Sequence, residues 1–179
     1  MNKDILRAKL IEALPPEAIL EDEPMSRHTT FRAGGPVDFL VTPSSVEEIE
    51  GALKAARAAN ADWHVIGCGS NLLVADEGIE GLVIVLGEKF ARIDIEGNLL
   101  TAQAGATNKQ VAEAARDAGL TGYEFASGIP GSIGGAAIMN AGAYGGEMSE
   151  VVTGAVAADS VGNRRELTAE ELDLRYRHS

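Results

Sequence analysis

The chain is richest in glycine at residues 128–147, which read GIPGSIGGAAIMNAGAYGGE and hold seven of its 21 glycines. Glycine permits backbone conformations and close approaches that other residues forbid, so this run constrains the fold strongly. One interpretation is a surface where a flat or extended ligand lies against the main chain, with amide groups directed at its phosphates or ring edges. The other is a helix that starts at Ser132 and packs closely through Gly134, Gly135 and Ala136. Glycine chemistry alone favours neither.

A second glycine-rich loop, GCGSN, follows the apolar strand predicted at WHVI and consists of Gly67, Cys68, Gly69, Ser70 and Asn71. Successive amide N–H groups in such a loop can converge on a phosphate without a lysine. The loop does not complete the dinucleotide fingerprint, because Leu72 occupies the third glycine position, and the chain has no Walker A lysine. An ordinary turn at the end of a strand would use the same residues, so both interpretations remain open.

Composition limits the class of partner. The chain has 179 residues, 45% of them hydrophobic, and a formal net charge of -12. The hydrophobic content is enough for the core of one domain built from two small lobes. The charge opposes binding to nucleic acid or to an anionic membrane, so an anionic ligand would need local donors.

Cys68 is the only cysteine and no signal peptide or transmembrane segment is evident, so we expect a cytoplasmic protein without disulfides. The three histidines lie far apart, and we expect no metal site.

The pattern of apolar residues predicts an N-terminal helical segment over residues 1–25 and a first lobe over about 26–88. A helical period over residues 2–14 stops at Pro15-Pro16. Strand, tight turn and strand are predicted around Gly34-Gly35-Pro36. A helix is predicted to open with Ser44 and Glu47 as its capping pair, and further strands at residues 63–74 and 82–86.

A second lobe is predicted over about residues 89–179. A hairpin should turn at Glu96-Gly97-Asn98, and a helix should be capped near Thr107 and closed at Gly119. Another hairpin is predicted around residues 160–163, followed by a short helix at TAEELDL.

Three segments, in this order and at these spacings, resemble the UDP-N-acetylenolpyruvoylglucosamine reductase (MurB) family of bacterial peptidoglycan synthesis: GCGSNLLV, AGATNKQVAEAARDAGLTGYEFASGIPGSIGGAAIMNAGAYGGE and LRYRHS. The upstream segment TTFRAGGPVDFLVTPSSVEEI also matches, so the resemblance runs from about residue 26 to the end. It implies an α+β fold, the two-lobed FAD-binding domain of the vanillyl-alcohol oxidase (PCMH) type, with the flavin between the lobes.

The resemblance also implies roles for individual residues. FAD would be bound by Gly67, Cys68, Gly69, Ser70, Asn71, Gly105, Ile129, Pro130, Gly131, Ser132, Gly134, Gly135, Ala136, Asn140, Ala141 and Gly142. A bulky residue at Gly134 is therefore expected to displace the flavin. Tyr144 and Tyr176 match positions that can contact substrate, and Arg177 matches the family's catalytic arginine.

The activity implied is the NADPH-dependent reduction of UDP-N-acetylglucosamine enolpyruvate to UDP-N-acetylmuramate through FAD. Hydride addition beside a carboxylated carbon builds negative charge, which a guanidinium can meet with two parallel hydrogen bonds. Family members continue into a further domain that carries the serine proton donor, so we expect this chain to be a truncated form. The alternatives are an FAD-binding module without turnover and another flavin oxidoreductase of the same superfamily. The oligomeric state and any role for His28 or His64 are not predicted.

Overall fold

The computed structural model describes residues 1–179 and divides them into two compact units. Unit 1 comprises residues 1–89 and 158–164, and unit 2 comprises residues 90–157 and 165–179. The N-terminal residues 1–25, which the sequence sets apart as a helical segment, belong to unit 1.

A four-stranded sheet with helices on it forms unit 1. In chain order its elements are α1 (Lys3–Ala13), β1 (Ile19–Pro24), β2 (Pro36–Val41), α2 (Val46–Ala58), β3 (Trp63–Ile66) and β4 (Ile79–Val85). The strand order is β1-β2-β4-β3; β1 pairs antiparallel with β2, whereas β4 pairs parallel with both β2 and β3. The parallel β3 and β4 place the glycine loop 67–71 at the carboxyl end of the edge strand β3.

The central strands of unit 1 are buried on both faces. Leu6 and Leu10 of α1 and Leu53 of α2 share one core cluster with Phe39 and Ile84 of the sheet. A second cluster is formed by Met25, Val37, Leu40, Val74 and Val83. This two-sided burial accounts for the nearly continuous apolar runs of β2 and β4.

Several predictions for unit 1 need correction. The strand expected before Gly34 is absent, because residues 29–32 form turns that Thr29 closes by donating its hydroxyl to the Ala33 carbonyl at 2.9 Å. The partner of β2 is instead β1, whose three acidic residues at 21–23 conceal its strand character. The cap of α2 is one residue later than predicted: Ser45 accepts the Glu48 N–H at 3.2 Å.

Unit 2 is built from smaller elements around a small core. They are β5 (Ile93–Glu96), β6 (Leu99–Ala102), α3 (Asn108–Asp117), α4 (Ile133–Ile138), β7 (Gly142–Ala143) and β8 (Gly146–Glu147). The hairpin of β9 (Gly154–Ala158) and β10 (Arg164–Thr168) follows, and its residues 158–164 belong to unit 1. The core cluster consists of Phe125, Ala126, Ala136 and Met148.

In unit 2 the predicted turn at Gly97 and the predicted helix cap at Thr107 are both confirmed. Gly97 takes φ +60° in the β5–β6 turn, and Thr107 forms a capping box with Gln110 at the start of α3. The short helix predicted at TAEELDL is wrong. Thr168 and Glu171 do exchange hydrogen bonds as a helix cap would, but the single turn they start ends at Asp173, which adopts a left-handed φ of +44°.

Candidate functional site

The loop 67–71 of unit 1 depends on a glycine at position 69. Gly69 has φ +60°, and a Cβ there would lie 2.0 Å from the His28 carbonyl oxygen. Thr30 donates its N–H to the Gly69 carbonyl at 3.2 Å. Gly69 therefore supplies both the left-handed turn and the close approach between two backbone segments.

A cavity of about 230 Å³ lies against this loop within unit 1. It is lined by Arg27, His28, Thr29, Thr30, Gly67, Cys68 and Val85. Arg27 and His28 both lie near the Glu23 carboxylate, with His28 Nε2 at 3.0 Å from it. Only Nη1 of Arg27 contacts that carboxylate, at 3.4 Å, so its other N–H groups can serve as the local donors that an anionic ligand needs on a chain of net charge -12. Arg27 and His28 directly precede the matching segment TTFRAGG, but no sequence motif marked either of them.

Cys68 is exposed, although desolvation by the atoms around its sulfur raises the pKa of the thiol. A raised pKa favours the thiol over the nucleophilic thiolate, so Cys68 is better suited to a loop contact than to covalent chemistry. No group of three or more His, Cys, Asp or Glu side chains in the chain could hold a metal ion.

The glycine-rich loop of unit 2 leads into α4, whose first amide groups are used inside the protein. The Ile133 N–H donates to the Ala106 carbonyl at 2.8 Å, and the Gly134 N–H donates to the Ala104 carbonyl at 2.9 Å. A Cβ at Gly134 would lie 2.9 Å from the Ala104 Cβ. Gly134 is thus needed for close packing, because a larger side chain would meet Ala104, and the displacement of flavin by such a side chain stays a prediction.

Two other glycines of this loop face open space. A Cβ at Gly128 would meet no atom within 4 Å, and a Cβ at Gly135 would meet only the Ser132 hydroxyl at 3.7 Å. Both residues are exposed. The two interpretations of the glycine run therefore apply to different residues: Gly134 permits packing, and Gly128 and Gly135 leave backbone accessible to a ligand.

The adjacent glycines of α4 give a matched test of this distinction. Gly134→Ala is expected to lower the free energy of unfolding of the ligand-free protein by about 1–3 kcal/mol, because the new methyl group overpacks against Ala104. Gly135→Ala should leave it unchanged or raise it slightly, since alanine is the better helix former. Urea unfolding of the two variants measures the difference. Equal stabilities would contradict the packing role of Gly134.

The segment 129–132, before α4, is held by the buried side chain of Asn108, which no sequence motif marked. Asn108 is 1% exposed, donates from Nδ2 to the Ile129 carbonyl at 3.2 Å, and accepts the Tyr123 hydroxyl at 2.9 Å. Burial raises the pKa of Tyr123 to about 12, so the phenol remains a donor at neutral pH. In the sequence, the only indication of this role is that Asn108 is the first residue of a capped helix, and that indication is weak.

Asn140 follows α4 and carries an unsatisfied donor. Its side chain is 5% exposed, and its Oδ1 accepts the Ser149 N–H at 2.9 Å, which fixes the orientation of the amide. Its Nδ2 has no hydrogen-bond partner. An unpaired buried donor costs about 1–3 kcal/mol, a cost that a ligand acceptor would offset. Of the other expected FAD contacts nearby, the Gly105 N–H is already bonded to the Phe90 carbonyl at 2.9 Å.

The residues expected to act on substrate are exposed and lie on strained turns of unit 2. Tyr144 is 97% exposed and has φ +55° in the two-residue turn between β7 and β8. Arg177 has φ +53° in a turn closed by two hydrogen bonds of 3.0 Å between Arg175 and His178. Its guanidinium lies 6.0 Å from the centre of the Tyr176 ring and makes no ion pair. Left-handed φ angles at bulky residues are uncommon and cluster at functional sites.

Each unit, taken by itself, offers features that suit part of a flavin nucleotide. Exposed glycine backbone suits a flat ring system, the Arg27–Thr30 cavity offers donors for a phosphate, and the Asn140 amide offers a buried donor. The fit rests on open backbone and donors rather than on a lysine or a metal.

Comparisons with known proteins agree with this chemistry. The FAD binding domain family matches residues 37–168. A UDP-N-acetylenolpyruvoylglucosamine reductase of Clostridium perfringens is 52% identical over 163 residues, which are 91% of this chain and 53% of that protein. The crystal structure of the UDP-N-acetylenolpyruvylglucosamine reductase (MurB) of Thermus caldophilus superimposes with a TM-score of 0.71 and 37% identity, covering 87% of this chain and 55% of that one.

A more distant structure bears on the fold alone. Glucooligosaccharide oxidase from Acremonium strictum has a TM-score of 0.69 at 18% identity, covering 93% of this chain and 37% of that chain. The predicted α+β FAD-binding fold of the vanillyl-alcohol oxidase (PCMH) type is confirmed. The chain spans little more than half the length of the reductases it matches. None of its helices is both long and apolar enough to cross a membrane.

Proposed function

Because the chain belongs to the FAD binding domain family and matches the FAD-binding part of the UDP-N-acetylenolpyruvoylglucosamine reductases, we propose that it holds FAD for the NADPH-dependent reduction of UDP-N-acetylglucosamine enolpyruvate to UDP-N-acetylmuramate. This step belongs to peptidoglycan precursor synthesis, and we propose the cytoplasm as its compartment. The observation that carries the proposal is the accessible glycine backbone at Gly128 and Gly135, on a chain 52% identical to a reductase of this name.

We propose that FAD contacts the loops 67–71 and 129–136, together with Gly105 and residues 140–142. In unit 1, the accessible groups beside Gly67 and Cys68 would bind phosphate, while Gly69 holds the loop in shape. In unit 2, the exposed backbone near Gly135 would lie against the ligand. Gly134 and Gly105 would act indirectly, because their N–H groups are bonded within the protein.

When bound, FAD would supply hydride transfer between NADPH and the enolpyruvyl group. The residue that we propose for the substrate's developing negative charge is Arg177. Its guanidinium makes no ion pair, so its donors are available to a carboxylate. A planar fork binds a carboxylate through two parallel hydrogen bonds and stabilises the charge that builds during addition.

Tyr144 and Tyr176 are the proposed substrate contacts. Both rings are almost fully exposed, and both belong to unit 2. Large exposed tyrosines combine apolar area with a hydroxyl group, which suits them to contact a polar nucleotide sugar. The turn at Tyr144 holds the ring outward at the cost of a left-handed backbone.

The second candidate is an FAD-binding module without turnover of the nucleotide sugar. The observation in its favour is that the chain matches only 53% of the length of the C. perfringens reductase. A different flavin oxidoreductase of the same superfamily is less favoured, because the GIPGSIGG and Tyr176-Arg177 motifs together match the reductases.

NADPH oxidation under anaerobic conditions separates these candidates. We expect the FAD-loaded chain to oxidise about one NADPH per flavin, and a protein of the full length of the relatives to continue turning over only when the UDP-sugar is added. Oxidation that stops at one NADPH per flavin although the UDP-sugar has been added to the full-length protein would contradict the reductase, because the sugar then accepts no hydride. Absence of NADPH oxidation by the full-length, FAD-loaded protein would favour the module.

A further inference from the structure

Asn108 makes three hydrogen bonds to residues outside α3, and two of them hold the segment that precedes α4. Its backbone N–H donates to the Gly131 carbonyl at 3.1 Å, and its side-chain Nδ2 donates to the Ile129 carbonyl at 3.2 Å. Its Oδ1 accepts the Tyr123 hydroxyl at 2.9 Å. Every polar atom of this buried side chain is thus committed either to the segment or to the tyrosine that fixes the amide.

These contacts fix the direction of the backbone on the opposite side of the segment. In a planar trans peptide the carbonyl oxygen and the following N–H point in opposite directions. Because the Gly131 carbonyl faces Asn108, the Ser132 N–H faces away from α3. Pro130, between the two anchored carbonyls, has a restricted φ that further limits the conformations of the segment.

We propose that Asn108 is a positioning residue for FAD, which holds residues 129–132 in the conformation that presents their backbone to the cofactor. This inference deepens the proposed function and rests on it. Tyr123, which directly precedes the 3₁₀ turn 124–128, supports the same arrangement. Its ring packs on Phe125 with a centroid separation of 5.6 Å, and its hydroxyl group restrains the Asn108 amide.

A purely structural role makes a different prediction. If Asn108 only stabilised unit 2, its loss would resemble the loss of any buried side chain of α3. Val111 lies on the same helix, is 3% exposed and has no side-chain group that can hydrogen-bond to the segment. Val111→Ala is therefore the matched control for a loss of buried contacts without a loss of the anchor.

The test compares Asn108→Ala and Val111→Ala in two measurements, the FAD dissociation constant and amide hydrogen exchange of the FAD-free protein. For Asn108→Ala we expect FAD binding weaker by about tenfold or more, and exchange at Ile129 and Ile133, whose N–H groups donate to the Ala126 and Ala106 carbonyls, faster by a similar factor. For Val111→Ala we expect FAD affinity within about threefold of the parent and no selective change at those amides. If Asn108→Ala does not fold, Tyr123→Phe, which removes one hydroxyl, should show the same changes at smaller amplitude.

A failure of the Asn108 proposal can be distinguished from a failure of the proposed function. If the parent protein binds no FAD, the proposed function fails, and the exchange comparison alone decides whether Asn108 anchors the segment. If the parent binds FAD and Asn108→Ala binds it equally well, or if the two variants show the same exchange at Ile129 and Ile133, the positioning role of Asn108 is overturned.

Discussion

Gly69→Ala is expected to weaken FAD binding at least about 100-fold and to lower the free energy of unfolding by about 2 kcal/mol or more. Gly69 has φ +60°, and the added methyl group would lie 2.0 Å from the His28 carbonyl oxygen. The loop and the 28–30 segment must therefore separate, which changes the cavity lined by Gly67, Cys68 and Thr30. A phosphate bound by these backbone groups would lose several donors at once.

Gly97 provides a control with the same backbone strain. It also has φ +60°, but a Cβ there would meet no atom within 4 Å. Gly97→Ala should cost only the strain of a left-handed alanine, about 1 kcal/mol, and should leave FAD affinity unchanged. FAD titration of both variants, at a temperature where circular dichroism reports folded protein, makes the comparison. Comparable FAD affinities for the two variants would rule out the proposed role of the loop 67–71.

Arg177→Lys is expected to slow reduction of the UDP-sugar at least about 100-fold in a protein of the full length of the relatives. Lysine keeps the charge but loses the planar fork, and the loss of one aligned donor to a developing negative charge commonly costs two to three orders of magnitude. The side chain is exposed and makes no ion pair, so FAD binding and folding should be unchanged. NADPH oxidation by the bound cofactor, measured without UDP-sugar, should keep its parent rate.

Arg175 is the matched control for this substitution. It lies in the same turn, is also exposed, and pairs with Asp173 rather than remaining available. Arg175→Lys should therefore reduce the UDP-sugar at close to the parent rate. If Arg177→Lys slows both NADPH oxidation and UDP-sugar reduction by the same factor, the defect lies in folding or in cofactor binding, and the catalytic assignment of Arg177 is refuted.

Sequence signals that act locally were sufficient for several elements. The Thr107–Gln110 capping box places the start of α3, and Gly97 closes the β5–β6 hairpin, because each is decided by hydrogen bonds or φ angles within a few residues. The strand β1 was missed because its acidic residues lack the apolar alternation of a half-buried strand and its pairing with β2 is a tertiary contact. The short helix predicted at TAEELDL reduces to a single turn, because the sequence carries no signal for the left-handed Asp173 that ends it.

The roles of individual glycines needed the structure. The sequence marks residues 128–135 as unusual, but only the neighbour of each glycine separates Gly134, which packs on Ala104, from Gly135, which faces open space. Asn108 was missed for the same reason: its partners, Ile129 and Tyr123, are 21 and 15 residues away along the chain. The role proposed for Arg177 comes from the resemblance of the LRYRHS segment to the reductase family. Without that resemblance, residues 176–179 would be interpreted as an exposed tail.

The most direct test of the central claim is an equilibrium titration of the purified 179-residue chain with FAD, followed by its visible absorption spectrum. We predict saturable binding of one FAD per chain, with a flavin spectrum perturbed from that of free FAD, and loss of this binding in Gly69→Ala but not in Gly97→Ala. A spectrum that remains that of free FAD at all concentrations would contradict the proposal that this chain binds FAD.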